Sequence, residues 1–401
     1  LNPNLKEVLE LVVRWAHFIA GIMWIGNSML FNWIDRNLVK KPGANENSIG
    51  EIWMVHSGGF YEMEKKHLAP GQMPSVLHWF KWQSYITWLT GALLLHLVYY
   101  SSAGMIVDPQ VANLTPLQAG LVGPAIIFGG WICYEVLWRT PIAKIGWLAQ
   151  SLTFAILCGA VWSATHLLSG RAAYIHVGAM IGTWMSGNVF FHIMPSQREL
   201  IRATNAGEKQ NPEVGKYAKQ RSIHNNYLTF PLLFIMISNH FPSTYGSPVN
   251  WLLLAIIILG GAGVRHFMNV RYDGAHPSWA LGAVGTGFAA SALLFILILH
   301  PPGRKEVAVA ANAPHVSFSQ VDAVIGERCR PCHSATPHDS VYLAAPAGMM
   351  LDTPEQIHNR APQIEARAVL TKTMPQGNKT NMTDDERKLL GAWFAQGASV
   401  D

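Results

Sequence analysis

This chain has little charge for its length. Asp, Glu, Lys and Arg make 13% of its 401 residues, against roughly 25% in an ordinary soluble domain. A soluble globule of this size needs more charge on its surface, so a one-domain soluble enzyme is excluded. Cysteine is scarce as well; four residues in a chain this long do not make a disulfide scaffold. An apolar fraction of 50% excludes a disordered chain. The net charge of +5 is small and scattered, so no nucleic acid is expected as a partner.

The deficit is uneven. Residues 1–300 hold 32 charged residues, or 11%, and residues 301–401 hold 21, or 21%. Fourteen of the 15 Trp lie in the first part, and only Trp393 in the second. The sequence thus predicts a membrane body over 1–300, a Pro/Ala-rich linker over 301–317 and a soluble tail over 318–401. The expected fold class is all-α.

A membrane helix needs about 20 mostly apolar residues. Eight such runs are present, over 11–33, 82–100, 117–138, 145–168, 172–195, 226–241, 249–270 and 279–300. The sixth is short and contains Pro231. Trp33, Trp82, Trp138, Trp147, Trp251 and Trp279 sit near run ends, where an interfacial belt belongs. The odd-numbered loops carry sixteen Lys and Arg, and the even-numbered loops only Arg171. The positive-inside rule then puts the odd loops in the cytoplasm of a bacterial inner membrane. Both termini and the tail face the periplasm, with the first helix as an uncleaved anchor. Gly26-Asn27, Tyr85-Ile86-Thr87 and Gly129-Gly130 are echoed, in the same order, by Gly187-Asn188, Tyr227-Leu228-Thr229 and Gly260-Gly261. That order raises a 4+4 parallel repeat, although Gly-rich helices also share dipeptides by chance.

The tail contains Cys329-Arg330-Pro331-Cys332-His333, the C-x-x-C-H attachment pattern for haem c. Thiols at this spacing can form thioethers to two vinyl groups, and the adjacent His is placed to bind the iron. A zinc site would need further ligands, and the tail has no other Cys. A sixth ligand should be Met or His. Met349, Met350, Met374 and Met382 compete, with His338 and His358 as rivals. Met374 is chosen because Thr373-Met374-Pro375 forms a polar turn just before the last helix. That helix should start with a Thr383–Glu386 capping box and bury Leu389, Leu390, Trp393 and Phe394. The tail is expected to be a small class I cytochrome c domain. Cys133 and Cys158 lie inside spans and are read as packing.

Ionisable groups in a bilayer are functional suspects. His17, His96, His166, His176 and His240 all fall in the outer half, nearest the tail. Two imidazoles from facing helices could bind a haem b. The repeat pairs His17 with His96 and His176 with His240. His17 with His240, or His166 with His240, would pair the halves. The bland alternative is that each His satisfies a local polar contact. A hydrocarbon core of about 30 Å is too thick for one tunnelling step. A relay is therefore expected if substrate is oxidised at the cytoplasmic end, and none is needed if its site opens outward.

The run Arg14-Trp15-Ala16-His17-Phe18-Ile19-Ala20-Gly21 resembles the first helix of the bacterial membrane-bound urate oxidases, also called urate hydroxylases. So do His56-Ser57-Gly58-Gly59-Phe60-Tyr61, Leu77-His78-Trp79-Phe80, Gln220-Arg221-Ser222-Ile223-His224-Asn225 and Ser238-Asn239-His240. The resemblance covers nearly the whole chain. It implies eight membrane helices and a periplasmic haem c. It also implies oxidation of urate to 5-hydroxyisourate, with electrons passing to the cytochrome. The family's run reads His-Gly-Gly-Gly-Phe-Tyr where this chain has Ser57. Glu62 and Glu64 follow it, and His96 and His176 are additions to the family pattern.

Urate is flat, polar and anionic, so its site should offer planar donors, an aromatic face and a base. His56, Tyr61 and His224 are the candidate catalytic residues, and Asn27, Asn188, Asn226 and Arg265 the candidate substrate ligands. Expected partners are the lipid bilayer, urate or a related small molecule, and a downstream cytochrome c or terminal oxidase. Two other readings are an electron-carrying subunit of a larger respiratory assembly, without urate activity, and a transporter with a redox-sensing tail. The transporter is the weakest of the three, because Glu135 is the one acidic residue well inside a late span.

Overall fold

A computed structural model describes residues 3–400, apart from 44, 70, 102–104, 210, 271–276, 301–313, 340 and 343. Most of the expected linker and Arg271 lie outside the described residues. Each of the eight apolar runs falls on a helix. They are α1 (Pro3–Asn37), α2 (Trp82–Leu95), α3 (Pro116–Leu137), α4 (Gly146–Leu167), α5 (Gly170–Asn188), α7 (Pro212–Ile237), α9 (Asn250–Val270) and α10 (Pro277–Leu299). A π turn, His96–Tyr100, prolongs α2; another, Val189–Ile193, carries α5 into α6 (Met194–Ala206). The short α8 is Pro242–Tyr245.

Among the described residues, four helices are long and apolar enough to cross a membrane: α1, α3, α4 and α9. Helices α5 and α7 fall short for physical reasons. Helix α5 packs against α2, α3, α4 and α7. It buries Tyr174, His176, Met180, Trp184 and Asn188 in protein, so it has no need to be apolar towards lipid. Small residues bring its neighbours close. A Cβ on Gly178 would sit 2.5 Å from Ile235, and one on Gly187 would sit 2.7 Å from the Trp131 indole nitrogen. The first half of α7 is polar and carries Arg221, fully buried, together with buried Asn225 and Asn226.

The all-α expectation needs one correction. Loop one folds into an antiparallel β-hairpin, β1 (Ser48–His56) with β2 (Gly59–Lys66), in which His56 pairs with Gly59. Its two turn residues, Ser57 at φ +50° and Gly58 at φ +76°, are both left-handed, as a tight hairpin with the strands' own twist requires. Trp53, Val55, Phe60 and Tyr61 are exposed on it.

The repeat-related glycines have unlike surroundings. Gly130 packs on Met180 of α5, whereas Gly261 packs on Pro231 of α7.

The C-terminal unit is α11 (Phe318–Arg328), α12 (Pro354–Ile364) with a π extension, and α13 (Asp384–Ala395). Its own core gathers Val321, Ile325, Leu351, Ile357, Met382, Leu390 and Trp393. The Thr383–Glu386 capping box forms as expected, and Leu389 and Phe394 flank the buried Leu390 and Trp393. This core is separate from that of the bundle.

Candidate functional sites

The first site lies in the C-terminal unit. Cys329, Cys332, His333, Val341, Tyr342, Ala368, Met374 and Lys379 line a largely apolar cleft of about 170 Å³, partly open to solvent. The chain turns tightly here. The Cys332 and His333 amides both donate to the Cys329 carbonyl, at 3.1 and 2.9 Å, so the two thiols and the imidazole share one wall. His333 Nδ1 donates to the Met349 carbonyl at 3.0 Å, leaving Nε2 as the lone-pair nitrogen. Burial lowers its pKa, which favours the neutral, ligating form. Burial, with Cys332 alongside, pushes the Cys329 thiol up to about 12, and burial, with Asp339 alongside, pushes Cys332 up to about 11.

Met374 also lines the cleft. Its carbonyl accepts from the buried Arg387 at 2.7 Å, and its amide donates to the Arg367 carbonyl at 3.0 Å. Arg387 also holds Asn378 at 3.2 Å and the Ala368 carbonyl. The rival methionines sit elsewhere. Met382 is 1% exposed in the core, Met349 packs against that core, and Met350 faces solvent. Two thiols, one neutral imidazole and one thioether around an apolar cleft are a donor set that fits haem c.

The second site is inside the bundle and was not assembled by sequence reasoning. Glu135 on α3 accepts from His192 at 2.9 Å, Arg221 at 3.2 Å and Arg139. The Arg221 guanidinium lies 5.1 Å from the Tyr134 and Tyr217 ring centroids, and its Nη2 donates to the Tyr217 hydroxyl at 2.7 Å. Its Nε and Nη1 have no hydrogen-bond partner among the described residues, and neither has the buried Trp184 indole nitrogen. Trp184 stacks on Tyr134 at 4.5 Å and 13°. The Tyr134 hydroxyl donates to His224 Nδ1 at 2.7 Å and accepts from Asn188 Nδ2 at 3.0 Å. Asn188 donates on to Asn225 at 2.8 Å, and Trp138 lies 4.1 Å from the His224 ring. A buried donor left unmade costs about 1–3 kcal/mol, more when charged. Two guanidinium nitrogens and one indole nitrogen are thus buried without partners among the described residues beside stacked rings.

The other predicted site residues are dispersed. Asn226 accepts from Arg265 Nε at 2.9 Å and from Asn269 at 2.8 Å, forming a separate cluster between α7 and α9. His56 and Tyr61 are exposed on the hairpin, and Ser57 Oγ lies 2.7 Å from His56 Nδ1. Asn27 sits half-buried on α1. His176 has both ring nitrogens engaged: Nδ1 donates to the Ala172 carbonyl at 2.7 Å, and Nε2 accepts from Tyr100 at 2.8 Å. His17 Nδ1 donates to the Thr87 carbonyl at 2.9 Å, which leaves its Nε2 for another partner. His166 is exposed and stacks on Trp162, with Nδ1 bonded to the Trp162 carbonyl, and His96 and His240 are exposed. Among the described residues, no three His, Cys, Asp or Glu side chains gather into a metal-binding group.

A protein-family profile described as urate oxidase N-terminal matches residues 3–298. This chain belongs to the urate oxidase N-terminal family. No curated protein and no solved structure matches it. The family region covers the whole bundle, including both the Glu135–Arg221 cluster and the hairpin. It ends before Cys329, so the cleft rests on its own geometry. Membership points to an oxidoreductase related to urate chemistry.

Proposed function

We propose that this protein oxidises urate to 5-hydroxyisourate inside the membrane bundle and delivers the electrons to a haem c in the C-terminal cleft. The observation that carries this reading is the fully buried Arg221, whose Nε and Nη1 have no partner among the described residues, beside the Tyr134–Trp184 stack. Family membership names the substrate class. Urate and one water give 5-hydroxyisourate, two protons and two electrons. Arg221 would hold the anion, Trp184 would add a further donor, and Asn188 would be kept in place by Tyr134 and Asn225. His224, polarised by the Tyr134 hydroxyl, stands at the edge as the group to move a proton.

In the cleft, Cys329 and Cys332 would carry the haem, with His333 and Met374 on its iron. Bound there, haem c supplies one-electron transfer. The two sites lie towards opposite ends of α5, since Arg171 and Asn188 are 17 residues apart, or about 26 Å at 1.5 Å per residue. That span keeps a relay within the proposal, with a haem b on the outer histidines as its candidate, and His17 retains a ring nitrogen for it. On this reading all eight helices cross a bacterial inner membrane, with the tail on the periplasmic side. A cytochrome c or terminal oxidase then takes the electrons onward. The test is a pyridine haemochrome spectrum of purified protein, repeated after anaerobic urate. Haem c that is reduced by urate without hydrogen peroxide supports the reading; a spectrum that urate leaves unchanged defeats it.

A further inference from the structure

The C-terminal unit does not line its cleft alone. Met105, from the loop between α2 and α3, stands in the same wall system as Cys332, His333 and Met374. That loop is pinned to the bundle. Ser169 donates to the Met105 carbonyl through Oγ and to the Ile106 carbonyl through its amide, both at 2.8 Å. The two units touch again at Gly246, where a Cβ would fall 2.3 Å from Thr373 and 3.0 Å from Thr371. Thr373 is the residue just before Met374. Polar groups meet across the same face: Arg171 of the bundle hydrogen-bonds Tyr342 of the tail and lies near Tyr99 and Tyr245, and Asp108 of the bundle faces Arg387 of the tail. Arg171 is the one Lys or Arg in the even-numbered loops. The single exception to the loop-charge bias therefore sits at the contact with the tail.

We infer that the membrane body is a structural part of the haem cleft, with Met105 as one of its walls and Arg171 with Gly246 holding the tail docked through turnover. The occupant of the cleft rests on the function proposed above; the docking does not. A docked tail receives electrons through a fixed face and does not swing on its linker. With haem c bound in the cleft, the Met105 side chain would help to exclude water from it. Burial is one of the levers that set a haem potential, so loss of Met105 should shift the midpoint potential downward.

The test uses the full chain in detergent, with a protease site inserted in the Pro/Ala-rich stretch 301–313. After cleavage, the wild-type tail is expected to co-elute with the bundle in gel filtration. Arg171→Ala, and independently Gly246→Val, should release most of it, with circular dichroism and haem content unchanged. Met105→Ala should keep its haem and show a lower midpoint potential in a redox titration. A wild-type tail that elutes alone, or release variants that still co-elute, would overturn the docking. An unchanged potential in Met105→Ala would overturn the shared wall. Protein lacking haem c would sink the proposed function, yet co-elution would still report on the docking.

Discussion

The cleft and the bundle cluster hold polar groups in opposite ways. In the cleft, four of the chemically telling residues fall between 329 and 374, and three of them lie within one turn of chain. The wall around them is mostly apolar, with Arg328, Tyr342, Gln376, Lys379 and Thr380 also bordering it. In the bundle, Glu135, Asn188, His192, Arg221 and His224 come from three stretches of helix up to 90 residues apart. There charge is buried with charge, and some donors are left without partners. A covalently held cofactor needs little from the fold beyond a turn and a cavity. A site for a diffusing anion must bury its donors in advance and leave them unmet until the anion arrives. That cost falls on stability, because a guanidinium fully out of water is tolerable only with Glu135 beside it.

The comparison breaks most visibly at the cysteines. Replacing both Cys329 and Cys332 with Ala should remove all covalently bound haem, read as loss of the haem-stained band on a denaturing gel. A band that persists would remove the cleft from the argument. Next comes Arg221→Ala. Truncating a buried, charge-assisted contact costs about 2–5 kcal/mol, so anaerobic reduction of the haem by urate should slow by about 30-fold or more. Dithionite should still reduce the haem fully. Equal loss with both reductants would mean that Arg221 serves only the fold. Glu135→Ala should go further in stability, costing about 3–5 kcal/mol by stranding Arg221; a thermal melt with an unchanged midpoint would contradict this. Met374→Ala should keep the haem attached and lower its midpoint potential, because Met ligation raises it. Met382→Ala should lower thermal stability without moving the potential, since Met382 is in the core.

The sequence revealed these two sites unequally, and the reason is physical. Cys329-Arg330-Pro331-Cys332-His333 declares itself because its ligands are neighbours in the chain, and the Met374 turn follows from the Pro and the capped helix after it. The helices were legible from apolar runs. Hydropathy sees lipid-facing surface, however, and it is blind to a helix buried in protein. Helix α7 starts at Pro212, 14 residues before the apolar run at Asn226, so Arg221 was read as a loop charge when it is inside. Glu135 was the available signal: a carboxylate within a span must have a cation nearby; Arg139 is four residues on, and the polar start of α7 supplies Arg221 as a second. The hairpin was missed for a different reason. Its Ser57-Gly58 turn is a local signal, but the same run reads as a candidate catalytic motif in a cytoplasmic loop.

The smallest expected effect is at that hairpin, and it sharpens the contrast between an assembled site and a suggestive motif. His56 and Tyr61 looked catalytic by resemblance, yet both are exposed, and their strand pairing and the His56–Ser57 contact stay within the hairpin itself. His56→Ala should leave urate-driven reduction of the haem within about twofold of wild type, well below the 1.4 kcal/mol that a tenfold change represents. Ser57→Gly should be slightly stabilising. A non-glycine residue in the left-handed region costs about 1–2 kcal/mol, and part of that is offset here by the 2.7 Å contact of Ser57 Oγ with His56. The net gain should therefore stay below about 1 kcal/mol, read as a small upward shift of the melting midpoint. Glycine at this position in the related run is then explained by turn geometry, with no demand from a substrate. A tenfold loss of urate-driven reduction in His56→Ala would reverse the argument and move the substrate site from the bundle to the hairpin.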